Sequence, residues 1–163
     1  MTEIQMPKVQ PFEDRDLERT VALLGGSQML KRNVRSHMEA HDLLKAGIPA
    51  KALKHLVGEI AILRAPYHGA LEKAVGISLR TYQRTKSRPT KTLSPEQSGK
   101  TWKFAELFAR VVSIFGTKKE AEAWFERPAM ALEQRKPIDM LSTPAGFELV
   151  EQHLTRVEYG VYT

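Results

Sequence analysis

The sequence contains no cysteine, so disulfides and thiolate metal centres are excluded. No apolar run approaches the ~18 residues that a membrane-spanning helix needs. The opening stretch, MTEIQMPKVQPFEDRD, has no apolar core and predicts no secretory signal. A cytoplasmic protein without a membrane partner is therefore expected. Strict apolar-polar alternation is also missing, so no strand is predicted. Gly25-Gly26 is not followed by the residues of a phosphate-binding loop. Acidic residues are absent from residues 73–91, although Lys73, Arg80, Arg84, Lys86, Arg88 and Lys91 all lie there.

Hydrophobic residues make up 42% of the 163, enough for a core, and charged residues 27%, as suits a soluble domain. The net charge of +6 is unevenly spread. Residues 1–91 hold 16 Lys/Arg against 9 Asp/Glu, whereas residues 92–163 hold 9 against 10. A basic first half suits a polyanion, and a near-neutral second half suits a protein partner.

Helical spacing accounts for most of the chain. Leu17, Val21 and Leu24 share a face that ends at Gly25-Gly26. Leu30, Val34, His37, His41 and Leu44 fall on one predicted stripe, stopped by Gly47. Pro49 opens a helix with Leu53, Leu56, Val57 and Ile60 inward, and Pro66 opens another that closes at Gly76. Ser78 caps a helix running to about Ser87. Ser94, Pro95 and Gln97 form an S-P-x-Q start signal after the linker RPTKTLSPEQS. Phe104, Phe108, Val111, Val112 and Phe115 then make a wide apolar stripe, ended by Gly116. Thr117 and Glu120 start a helix carrying Ala121, Trp124 and Phe125 inward. KPIDML reads as a helical turn, and Thr143-Pro144 starts a last helix with Phe147, Val150, Leu154 and Val157 inside. Gly160 stands where a helix-ending glycine belongs. The fold class is all-α. Three segments are predicted: an N-terminal helical extension at 1–46, a helix-turn-helix domain at 47–91, and a helical domain at 93–163.

The succession of a helix, Gly76-Ile77-Ser78 and a polar basic helix is the layout of a helix-turn-helix. Its second helix enters the major groove by its N-terminal end. Arg80, Thr81, Gln83 and Arg84 are placed to reach bases and Lys86, Arg88 and Lys91 to meet phosphates, and the capping Ser78 is counted with them among the DNA-binding residues. Leu79 and Tyr82 are predicted to pack inward. Glu72 falls where such motifs favour a small residue, four positions before the turn glycine.

Other chemistry is weakly supported. HMEAH at 37–41 spaces two histidines for a shared metal, but Glu39 is one place late for a zincin pattern and no third ligand is evident. No metal, cofactor or catalytic residue is predicted, and the chain does not read as an enzyme. Trp102, Trp124 and the phenylalanines stand at core spacing.

From Leu93 onward the sequence resembles the Xre/MbcA/ParS antitoxin family. The features come in order: Leu93-Ser94-Pro95-Glu96, Phe115-Gly116, Ala123-Trp124 before Pro128, and Ala131-Leu132. Pro137 with Asp139 to Leu141, Thr143 with Gly146, and Arg156 followed by Tyr159-Gly160-Val161 complete the set. Ala129 stands where the family usually has Asn. GIPAKALKHL and VGISLRTYQR are similar to the family's Xre-like helix-turn-helix half, which extends the resemblance back to residue 47. The resemblance implies a toxin-antitoxin system whose partner is a RES-domain toxin that consumes NAD. It implies that the C-terminal segment, Arg156, Tyr159, Gly160, Val161, Tyr162 and Thr163, covers the toxin's active site. It also implies autoregulation through operator DNA, and a homodimer is expected on paired half-sites. The alternative is a stand-alone helix-turn-helix transcription regulator whose second half only dimerises.

Overall fold

The computed structural model describes residues 11–65, 69–88 and 90–160. Ten α-helices and two 3-10 turns account for them, with two isolated β-bridges and no strand among the described residues. The helices are α1 (Pro11–Leu23), α2 (Gly26–Leu30), α3 (His37–Ala46), α4 (Ala50–Glu59) and α5 (Ala61–Arg64). They continue as α6 (Ala70–Val75), α7 (Leu79–Lys86), α8 (Pro95–Phe115), α9 (Lys118–Glu126) and α10 (Pro144–Glu158), with 3-10 turns at Met130–Leu132 and Pro137–Met140.

Side-chain caps fix five of the helix starts. Ser36, Ser78, Ser94, Thr117 and Thr143 each accept the amide N–H three residues on. Gln97 returns the bond to the Ser94 amide at 3.1 Å, closing a reciprocal capping box. The boundaries predicted from those cap signals at Ser78, Ser94, Thr117 and Thr143 hold.

The long helix α8 is the spine. It packs against α1, α3 and α6 on one side and against α9 and α10 on another. Phe104, Phe108 and Phe125 are fully buried around it, with ring centroids 5.8–6.0 Å apart. One apolar cluster runs without a break from Leu17 to Leu154, across residues 89–93. The segment at 91–93 is itself tied down. Leu93 N–H donates to the Ile48 carbonyl and Ala50 N–H to the Lys91 carbonyl, both at 2.8 Å. Ser98 on α8 accepts the buried Ile48 amide at 2.8 Å. No buried side-chain nitrogen or oxygen among the described residues lacks a partner.

Three expectations are corrected. The stripe from Leu30 to Leu44 is broken, because Lys31 adopts φ 59° and Ser36 restarts the helix as a cap. The new start turns α3 so that Ala40 and Leu43 face the core, while His37 and His41 are exposed. Leu79 is exposed rather than inward. Ile77, ahead of the cap, is buried instead, and Tyr82 and Thr85 face inward along α7. Glu72 causes no crowding, because α6 buries Ala70, Leu71, Ala74 and Val75 and leaves Glu72 in solvent. The predicted start of that helix at Pro66 lies outside the described residues.

Candidate nucleic-acid face and C-terminal binding end

The turn before α7 is made by Gly76 at φ 70°, a conformation open to glycine at little cost. Ser78 then accepts the Thr81 amide at 3.1 Å and donates its hydroxyl to Thr81 Oγ1 at 2.9 Å. These two hydrogen bonds commit Ser78 to the cap and fix where α7 begins. Arg80, Thr81, Gln83, Arg84, Lys86 and Arg88 are all exposed. Arg80, Gln83 and Arg84 share one helical face by their spacing. Arg84 and Arg88 meet Ser87 and Lys91 around a concavity of about 370 Å³ lined by no acid. Tyr82 holds α7 to the core. Burial pushes its phenol above the ordinary range, against an opposing pull from Arg64, so the hydroxyl stays neutral.

Polar clasps join this half to the C-terminal half. Glu122 on α9 accepts the Ile62 amide at 2.8 Å and so caps α5. Lys73 on α6 pairs with Asp139 at 2.7 Å. Lys118 on α9 pairs with Glu59, and that bond holds the Glu59 carboxyl below its ordinary range. These partners lie about sixty residues apart, and no local motif announces them.

In the C-terminal half, α10 is clamped to α8. Arg110 donates to Thr155 Oγ1 at 2.9 Å and to Glu158 at 2.8 Å. Just past this clamp the chain presents Arg156 and Tyr159 to solvent, Tyr159 at 78% exposure. Gly160 follows at φ 72° and turns the backbone out of the helix. Val161, Tyr162 and Thr163 lie outside the described residues. Sequence reading missed three exposed apolar side chains, Leu149, Met130 and Met38. Leu149, Gln152, Arg156 and Tyr159 follow one solvent-facing line along α10. The signal was available, since Leu149 lies off the inward stripe of Phe147, Val150, Leu154 and Val157. Met130, the first residue of a 3-10 turn, carries no such pattern.

His153 on α10 stacks on buried Trp124, with centroids 5.6 Å apart and planes at 13°. Burial, helped by Arg156, holds the imidazole below its ordinary value. A depressed histidine contributes stability that is present at neutral pH and lost as pH falls below about 6.5, where the unfolded chain takes up the proton first. Thermal melts at pH 7.5 and 5.5 should therefore show a smaller acid-induced drop for His153→Gln than for the native chain. Equal drops would exclude the imidazole as the source. Among the described residues no group of three or more His, Asp or Glu side chains is placed to hold a metal ion. No helix is long and apolar enough to cross a membrane among them either.

A helix-turn-helix joined through a shared spine to a helical domain with an exposed terminal anchor defines a two-part binding protein. The sequence comparisons divide it accordingly. Residues 39–106 match the antitoxin Xre-like helix-turn-helix domain, and residues 110–160 match the antitoxin Xre/MbcA/ParS C-terminal toxin-binding domain. The chain belongs to the Xre/MbcA/ParS-like antitoxin family. It is similar to an Antitoxin Xre of Photorhabdus laumondii subsp. laumondii, 30% identical over 94 residues. It is also similar to one of Yersinia enterocolitica serotype O:8, 29% identical over 92. The matched stretches cover 57% and 56% of this chain, and 63% and 62% of those relatives' lengths. The two domain matches meet inside α8, and α1 and α2 precede both.

Proposed function

We propose that this chain is the antitoxin of a type II toxin-antitoxin pair, with a RES-domain, NAD-consuming toxin as its partner. It neutralises the toxin sterically. The segment Arg156, Tyr159, Gly160, Val161, Tyr162 and Thr163 enters the toxin's active-site mouth, so no chemistry is required of the antitoxin. The same chain binds operator DNA through α7 and represses its own operon as a homodimer on paired half-sites. Residues 47–91 serve DNA and residues 93–163 serve the toxin, while α1 and α3 brace the spine.

The observation that carries the reading is Tyr159. It is a large, rigid side chain held almost wholly in solvent, one residue past a helix end that Arg110 pins in place. An exposed aromatic on a rigid support buries area in a partner at little entropic cost. A growth test tests it. Cells expressing a cognate RES-domain toxin should survive with the full chain and stop growing with a chain lacking residues 159–163. Full protection by the shortened chain would overturn the plug.

A further inference from the structure

We propose that Lys100, on α8 and outside the two helices α6 and α7 of the helix-turn-helix motif, contacts the DNA phosphate backbone beside the turn that leads into α7. The proposal rests on reading α7 as the helix that enters the major groove. The Lys100 side chain lies directly over Gly76. A Cβ at residue 76 would meet Lys100 Cδ at 2.8 Å and Nζ at 3.1 Å. Gly76 therefore does two things. It supplies the left-handed turn, and its missing side chain leaves the space that the Lys100 stem fills. The stem packs on backbone while the ammonium stays at the surface, two residues from the cap of α7.

The charge at that position is uncommitted. Lys100 is exposed, and none of the ion pairs among the described residues includes it. Four carboxylates line the same groove, Glu72, Glu96, Glu148 and Glu151, and none pairs with it. Lys73, on the neighbouring helix, is by contrast neutralised by Asp139. When the N-terminal end of a recognition helix enters the groove, groups beside that end come close to the phosphates along the groove edge. An ammonium there meets them as a point charge and displaces counterions, which adds affinity without sequence preference. Lys100 also stands on the helix that carries Phe104 and Phe108, so the phosphate contact is held by the core that the toxin-binding half shares.

The test uses the full chain in a fluorescence-anisotropy titration. One duplex of about 30 base pairs comes from the region upstream of its own gene, and a second is a shuffled sequence, across about 50–200 mM salt. Lys100→Met keeps the stem and removes the charge. It should weaken binding to both duplexes by a similar factor and make the slope of log K against log salt less negative by about 0.9. Lys100→Arg should restore both. A Lys100→Met slope and affinities equal to the native values would overturn the assignment, as would a loss confined to the upstream duplex. Lys100→Gln repeats the measurement if the Met variant melts early. A native chain that binds neither duplex would bring down the α7 reading together with Lys100. Native binding with unchanged variants brings down Lys100 alone.

Discussion

Replacing Arg80 and Arg84 together with Ala is expected to abolish operator binding while leaving the fold intact. Both residues are exposed on α7, one helical turn apart, just past a start fixed by Ser78. Neither pairs with a carboxylate among the described residues, so both guanidinium forks are available to base edges. A paired contact from Arg to guanine discriminates by roughly 1–3 kcal/mol. Losing two amounts to roughly 2–6 kcal/mol, or ~30-fold to ~10⁴-fold in affinity. The stability cost is small, about 0.5 kcal/mol or less, because neither side chain supports the core. A gel shift with the upstream duplex and a thermal melt on the same sample read the two effects. An unaltered shift would remove α7 from the interface. A collapsed melt would reassign the arginines to folding. Neutralisation of the toxin should survive, since Tyr159 and Arg156 stand at the C-terminal end of α10.

What could be read from the sequence followed the range of the interaction. The start signals at Ser78, Ser94, Thr117 and Thr143 act over three residues, and each one forms the bond its spacing promises. The phenylalanine stripe of α8 spans three turns, long enough for the period to be unambiguous, and its inner members are buried. Short elements failed. The four residues of α5 and the five of α2 are too brief to show a period. Leu30 to Leu44 matched a helical period by coincidence across a break at Lys31. Leu79 was misplaced because hydrophobicity alone favoured it, whereas cap geometry gave the buried position to Ile77.

The site was legible in parts only. The basic face of α7 and the Tyr159 end could both be read, because one depends on composition and the other on a helix-ending glycine. The connections between them could not. Glu122 capping α5, Lys73 with Asp139, Ser98 under Ile48 and Lys100 over Gly76 join residues far apart in sequence. Each is a tertiary coincidence of position with no periodic signature. Gly146 is similar: a Cβ there would lie 2.0 Å from the Met140 carbonyl oxygen, a constraint set by the preceding turn. The linker at 89–93 looked like a boundary because its composition is polar. Its backbone is nevertheless bonded to Ile48 and Ala50.

That bonding, with the shared core, makes the second large prediction. Phe104→Ala should lower the stability of both halves at once. Phe104 has no exposed surface, and its ring packs tilted against Phe108 at 6.0 Å and Phe125 at 5.8 Å. Truncating a buried phenylalanine costs about 3–5 kcal/mol, the lost transfer energy together with the cavity left behind. Domains of this kind hold only about 5–15 kcal/mol in total, so a large part of the stability disappears. Because α8 packs against α1, α3 and α6 as well as α9 and α10, the loss is not confined to the C-terminal half. Far-ultraviolet circular dichroism follows all the helices, while fluorescence follows Trp102 and Trp124, both buried in the C-terminal half. The two melting curves should coincide in the native chain and move down together in Phe104→Ala, keeping a single transition. A variant whose tryptophan signal melts first while helical signal persists would show that residues 47–91 fold apart from the spine. Coincident curves would mean that an antitoxin of this build cannot loosen its toxin-binding half without also disordering the face that meets DNA.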